Sequence, residues 1–371
     1  MTRSSNVSGT AGPDGGTVPD ADVDVVCLGE SMVTFLPTRP GRLADVPAFD
    51  RAIGGAESNV ACALARTGHT VRWISRVGAD GFGDHLVDTI AGHGVDVGHV
   101  QRDPQRPTGI YFRTAGERAT GVDGEEPGRA EVLYYRAGSA ASAMTPAQLD
   151  RSALAGARVL HLTGITAALS DGCLEVLRTL TRRTPGRPLV SFDVNYRVGL
   201  WRAGTHGPEI LLDLARGCDL VFVGEDEAEA AWDLHGPEAV REALPEPATL
   251  VVKQGSEGAT VYDRRADGSD SVTFVPALKV EVVAPVGAGD AFAAGFLSGT
   301  LRDLPVPARI RHGHLMAAAS LTVPGDLATP PARSLADRLA ALDPADWGTL
   351  RIGPGWTTDG VRTPRVEVPA P

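Results

Sequence analysis

The chain has 371 residues, 43% hydrophobic and 22% charged, the make-up of a soluble globular protein long enough for one large α/β domain or two smaller ones. A formal net charge of −11 with no run of basic residues disfavours binding to nucleic acid or to an anionic membrane and leaves small molecules as the better class of ligand. Cys27, Cys62, Cys173 and Cys218 lie far apart and form neither a CxxC pair nor a Cys/His cluster, so buried free thiols in a reducing compartment are expected rather than disulfides or a structural zinc.

Residues 1–22 are rich in Ser, Gly, Thr, Asp and Pro and lack the apolar centre of a signal peptide, which predicts a disordered tail. A body follows over about 23–345, and 346–371 turns again to Gly, Pro, Thr and Arg, which predicts a second loose end. With no transmembrane span in the sequence, a cytoplasmic protein is the simplest expectation. Within the body, β-rich runs at 24-DVVCLGE-30, 71-VRWISRVG-78, 158-RVLHLTG-164, 188-PLVSFDVN-195, 219-DLVFVGE-225 and 249-TLVVKQG-255 alternate with helical patterns such as 56–68 and 172–183. Several runs are continuously apolar, as in strands covered on both faces, so the fold class is α/β with a doubly wound, mostly parallel sheet flanked by helices. Ligands gather at the carboxyl ends of such strands, where Glu30, Gly164, Asp193, Glu225 and Gly255 fall. Two stretches, 33–53 and 108–136, carry short aromatic runs split by the polar loop 115–129. They predict a small inserted β lid over those strand ends.

Two motifs carry chemistry. In 284-APVGAGDAFAAGF-296 the small residues Gly287, Ala288 and Gly289 precede Asp290 and an apolar, alanine-rich segment. A Gly-rich turn opening a helix presents backbone N–H groups to an anion, usually a phosphate. A carboxylate is out of place beside a phosphate unless it takes a proton from the group attacking it. An Asp at such a turn is also an ordinary way to begin a helix. The second motif, 54-GGAESN-59, leads into a helix, and the amide of Asn59 can both donate to and accept from a polyol. Farther on, 76-RVGADGFGD-84 does not give GxGxxG, so a nicotinamide site is poorly supported.

The pair Gly54-Gly55-x-x-x-Asn59, continued by Gly68 and Gly78, and Gly287-Ala288-Gly289-Asp290, continued by Gly295, resembles the two signatures of the PfkB (ribokinase-like) carbohydrate kinases over about residues 24–340. Within that family 133-LYYRAGSAAS-142, 192-FDVNYR-197 and 281-EVVAPVGAGD-290 look most like the 2-keto-3-deoxygluconate kinases. The resemblance implies an ATP- and Mg²⁺-dependent kinase of a sugar acid in which Asp290 is the base and Gly287, Ala288 and Gly289 hold the transferring phosphoryl group. A fructokinase-like or other sugar kinase is the alternative within the class; a catalytically silent sugar or nucleotide sensor is the alternative outside it. Gly54, Gly55 and Asn59 would then face the sugar, joined from the lid by Tyr111 and by Tyr134 or Tyr135. Only one of the latter pair can face it, because a strand alternates, and Tyr134 shares its face with Arg136. Arg136 and Arg197 would meet the substrate carboxylate, since guanidinium matches a planar carboxylate with two parallel hydrogen bonds.

For the nucleotide the resemblance implies Glu227 as organiser of Mg²⁺ and its waters, Lys253 and Gly255 along the phosphates and ribose, and His314 beside the base. Lys253 and Lys279 are the only lysines in a chain otherwise supplied with arginine. Three departures stand out. Ala284 replaces a polar residue, often Asp, which puts a monovalent-cation site in doubt; Gly224 replaces the Asn of an Asn-x-x-Glu motif; Thr34 replaces a sugar-binding Asp, which argues against a ribose-like substrate. Lids in the family often meet across a twofold axis, so a homo-oligomer built through the lid is expected.

Overall fold

The computed structural model describes residues 23–114, 131–202 and 206–357. Eight strands form the main sheet, in the spatial order Asp270–Pro276, Gly258–Arg264, Thr249–Lys253, Leu220–Gly224, Leu189–Asp193, Val159–Thr163, Val25–Leu28, Val71–Ile74. The six runs read as strands all contribute to it and pair in parallel. Each strand splits its side chains between two cores. Val25, Cys27, Phe222 and Val251 pack with helices Ala56–Arg66, Ala288–Leu301 and Val306–Leu321. Val26, Leu28, Val221 and Val252 face the side of helices Asp171–Thr181 and Glu209–Arg216. Two packed faces are why these strands are continuously apolar. All four cysteines are buried and free.

From Val25–Leu28 the chain first builds outward to Val71–Ile74 and only later returns on the other side with Val159–Thr163. This reversal is a topological switch point, and the crevice outside the strand ends there is where an open α/β sheet takes its ligand. A separate four-stranded sheet, ordered Phe49–Gly54, Met32–Pro37, Ile110–Arg113, Val132–Tyr135, is the expected lid. The polar loop 115–129, the tail 1–22 and residues 358–371 lie outside the described residues.

Three features differ from the reading of the sequence. The run 71–78 is two strands, because Arg76–Gly78 leaves the main sheet to pair with Gln101–Asp103. The sheet is extended by an antiparallel hairpin, Gly258–Arg264 with Asp270–Pro276. The loose end expected from residue 346 is instead packed at least through Trp356. Helix Pro344–Thr349 and strand Arg351–Ile352 follow one another there, and Trp347, only 1% exposed, donates its indole N–H to the Pro276 carbonyl at 2.9 Å. A few large apolar anchors, Trp347, Leu350, Ile352 and Trp356, hold this segment without any helical period to betray it.

Of the glycines of 76-RVGADGFGD-84, Gly78 ends a strand while Gly81 and Gly83 open a helix. Asp80 caps Gly81–Gly92 by accepting from the N–H groups of Phe82 and Gly83, at 3.1 and 2.8 Å.

Candidate active site

Gly287 caps helix Ala288–Leu301 in the left-handed region, with φ of 67°. A Cβ there would lie 2.6 Å from the Asp326 carbonyl oxygen, so glycine is required for the conformation and for the space. The first N–H groups of this helix have no acceptor within it, which makes the turn an anion site. Asp290 stands in its first turn. Five residues on, Gly295 serves packing: a Cβ would come within 2.3 Å of the His312 carbonyl oxygen, where helix Val306–Leu321 crosses.

The carboxylate of Asp290 is gripped from two other elements. Asn59, on helix Ala56–Arg66, donates its amide Nδ2 to Oδ2 at 2.9 Å, and Asn195, just past strand Leu189–Asp193, donates Nδ2 to Oδ1 at 3.4 Å. A carboxylate acceptor settles the orientation of each amide and turns its oxygen away. Both Oδ1 atoms are buried without a partner among the described residues.

Lys253 ends strand Thr249–Lys253, and its Nζ lies 3.0 Å from each carboxylate oxygen of Asp193. A Cβ on Gly289 would be 3.5 Å from that ammonium, which places Lys253 beside the anion turn. Burial opposes the charge of Lys253, but Asp193 and Glu227 outweigh it and hold the ammonium above its usual range. Burial raises Glu227 above the ordinary carboxylate range against the pull of Lys253. Its Oε2 accepts from the backbone N–H of Gly224 at 2.9 Å, so the residue without an amide side chain still positions the acid through its main chain. Arg197 lies 3.6 Å from the other side of the same carboxylate and is 39% exposed.

Next to the lid, Gly54 and Gly55 are spacers. A Cβ on Gly54 would meet the Tyr111 hydroxyl at 2.1 Å, and one on Gly55 the Glu30 carbonyl oxygen at 2.5 Å. Tyr111 is buried and donates to Asp326 Oδ2 at 2.9 Å, while Arg113 donates to Asp326 Oδ1 at 2.7 Å. Tyr134 pairs directly with Tyr111, their rings 5.4 Å apart, and Tyr135 falls on the opposite face against Phe112. Arg136 lies over the Tyr134 ring at 5.6 Å, but its guanidinium is also committed to Glu30, with Nε 2.8 Å from Oε2. Ser139 donates to the other Glu30 oxygen at 2.6 Å.

Gly255 keeps its left-handed turn, φ 58°, with open space where a Cβ would be. His314 lies in the core, against the helix that carries Asp290. It is 6% exposed, bonds the Val275 carbonyl through Nε2 at 3.1 Å and meets Phe292 edge to face, and burial pushes its pKa down to about 4. In this structure it is a neutral packing histidine.

Asn195, Arg113 and Asp326 were not singled out as site residues from sequence. Asn195 lies within 192-FDVNYR-197 and has a signal of a kind, a polar residue two positions past a buried strand. Arg113 and Asp326 have none, since what brings them together is a contact between residues 213 apart.

An acid in the first turn of a glycine-opened helix, with an ammonium beside the turn, is an arrangement suited to phosphoryl transfer. The model of the pfkB family of carbohydrate kinases matches residues 22–333, and the chain belongs to that family. It is 35% identical to the 2-dehydro-3-deoxygluconokinase of Bacillus subtilis over 86% of this chain and 96% of that one. It is also 33% identical to fructokinase-1 of Oryza sativa, over 75% and 83% of the two chains. A sugar kinase of Pyrococcus horikoshii solved in complex with ATP superposes with a TM-score of 0.69 at 25% identity, covering 86% of this chain and 98% of its own. The protein is a carbohydrate kinase. No described helix is long and apolar enough to cross a membrane.

Proposed function

We propose that the enzyme transfers the γ-phosphoryl group of ATP to the terminal hydroxyl of 2-keto-3-deoxygluconate, giving 2-keto-3-deoxy-6-phosphogluconate. The observation that carries the reaction is Asp290 at the glycine turn, held by the amides of Asn59 and Asn195, one on each carboxylate oxygen. The substrate oxygen attacks γ-phosphorus, the bond from phosphorus to the β-bridging oxygen breaks, and Asp290 takes the hydroxyl proton. The N–H groups that open helix Ala288–Leu301 stabilise the negative charge of the group in transit.

Magnesium would neutralise charge between the β- and γ-phosphates when bound. The donor set suits it, because Mg²⁺ in such sites keeps several waters and takes most other ligands from phosphate. The buried carboxylates of Glu227 and Asp193, flanking Lys253, are the groups placed to hold those waters. No cluster of three or more His, Cys, Asp or Glu residues that could hold a metal by itself occurs among the described residues.

Support for an acidic substrate comes from the half-exposed guanidinium of Arg197, from the absence of an acid at Thr34, and from the relative named 2-dehydro-3-deoxygluconokinase. Fructokinase is the second reading, favoured by the pairing of Arg136 with Glu30, which cancels one of the two positive charges offered to a carboxylate. A coupled ATP-consumption assay over a panel of sugars and sugar acids decides between them. The expected result is the highest kcat/KM with the keto acid; an equal or higher value with fructose overturns the substrate assignment while leaving the kinase intact.

A further inference from the structure

Asn195 is a non-glycine residue in the left-handed region, φ 43°, and only 3% exposed. Asn is among the few residues that enter this region at modest cost, yet it remains a sparsely populated conformation that the surrounding structure must hold. The neighbours do so tightly. Val194 N–H donates to the Phe222 carbonyl at 2.9 Å, extending the parallel pairing beyond the strand, and a Cβ on Gly164 would lie 2.2 Å from the Val194 carbonyl oxygen. The backbone is thus fixed on both sides at the point where the chain turns over.

The turn aims the Asn195 amide at Oδ1 of Asp290, while Asn59 engages Oδ2. A donor on each oxygen, one from a helix and one from just past a strand end, defines the plane of the carboxylate. We propose that Asn195 is a positioning residue for the base, which sets the rotation of the Asp290 carboxylate toward the attacking hydroxyl. This rests on Asp290 being the base. Apo contacts of this kind are often long and shorten when substrate is bound, which fits the 3.4 Å seen here.

A double-mutant cycle tests it. Asn195→Gly keeps the left-handed backbone and removes the amide. In the otherwise intact enzyme it is expected to lower kcat about tenfold, with KM for ATP and for the sugar acid changed by less than about threefold. In an Asp290→Asn background, where no base remains to be positioned, single-turnover rates should change by less than about twofold on adding Asn195→Gly. The same tenfold loss in both backgrounds overturns the positioning role and assigns Asn195 to the nucleotide or to folding, with the base untouched. An Asp290→Asn enzyme of full activity overturns both readings. Asn195→Asp guards against a folding artefact: it retains shape and φ but sets a second carboxylate beside the first. It should cost more than the glycine variant, and parental kcat in a folded Asn195→Asp enzyme also overturns the proposal.

Discussion

The strand ends of the main sheet and the lid use arginine in opposite ways. In the lid, Arg136 is 10% exposed and locked to Glu30, which is itself buried and fixed by Ser139. At the strand ends, Arg197 is 39% exposed and stands 3.6 Å from Glu227, too far for a tight pair. Removing one partner of a buried pair leaves an uncompensated charge and is costly, whereas a loose, partly solvated pair gives up its partner cheaply. Arg197 therefore keeps guanidinium surface open to solvent, whereas Arg136 is spent on holding Glu30. The same contrast runs through the acids. Asp290 has hydrogen bonds that orient it at an anion site, whereas Asp326 bridges Tyr111 and Arg113 of the lid to the loop beside Gly287.

The largest expected effect lies at the strand ends. Asp290→Asn keeps shape but cannot take a proton, and should lower kcat by about 10² to 10⁴ while ATP and sugar binding persist. Steady-state kinetics alongside calorimetric binding checks it; unchanged kcat removes the base. Next come the two arginines. Arg197→Leu should lower kcat/KM for the keto acid by about one to two decades and for a neutral sugar much less, because it removes a charge-assisted contact. Arg136→Leu should lower use of the keto acid less selectively and reduce thermal stability, since it strands Glu30. If Arg136→Leu proves the more selective of the two and stability is unchanged, the contrast between the two regions is wrong.

A smaller effect concerns Glu57, in the first turn of helix Ala56–Arg66. Its Oε1 accepts from Thr163 and Thr166, each at 2.8 Å, and its Oε2 is buried without a partner. Burial raises its pKa from 4.5 to about 7. Between those values the folded protein holds a proton that the unfolded chain has released, so this group makes stability fall as pH rises through that window, by up to roughly 3 kcal/mol. Glu57→Gln can still accept from both threonines and does not titrate. Urea unfolding should show the parent losing more stability than the variant between pH 5 and pH 7.5. Parallel pH profiles would show that Glu57 ionises freely in the folded protein.

The parallel sheet was legible because strands covered on both faces tend to be continuously apolar, and each of the six runs placed one strand in it, although 71–78 carries a second strand outside it. The lid was legible from aromatic alternation, and Tyr134 shares the face of Tyr111 because that alternation is strict. The hairpin at 258–276 and the C-terminal anchor were not: Val272 and Phe274 are exposed, so the hairpin's outer strand lacks a buried apolar run, and the anchor depends on isolated large side chains. In the candidate site, the turn that opens helix Ala288–Leu301 was visible as glycines. Charge pairs such as Arg136 with Glu30 and Arg113 with Asp326 were not, since a single sequence shows which charges exist and not which of them cancel. His314 shows another limit, because its sequence environment suits a ligand contact and a core position equally.

The smallest effect on turnover is expected on the outer face of the lid, which sharpens the comparison from the other side. Phe35, Phe112, Leu133 and Tyr135 share that face, with Phe35 stacked on Phe112 at 4.8 Å and Tyr135 edge-on to Phe112. Leu133 and Tyr135 remain 46% and 57% exposed. Phe35 also packs on Phe82, so it is the Leu133 and Tyr135 end of this face that is unfavourable to leave in water, and pairing with a second copy of the chain would cover it. The parent should then be a dimer or a dimer of dimers by light scattering at micromolar concentration. Leu133→Glu combined with Tyr135→Glu should shift it toward monomer, because two carboxylates would have to be buried unpaired in the contact. Tyr134, Arg136 and Tyr111 point to the other face, so turnover of the monomeric variant should stay within about threefold of the parent if the lid closes within one chain. A loss of two decades or more with the fold intact would mean that the lid is held over the site by its neighbour. A fully active parent that is already monomeric would show that this face needs no partner.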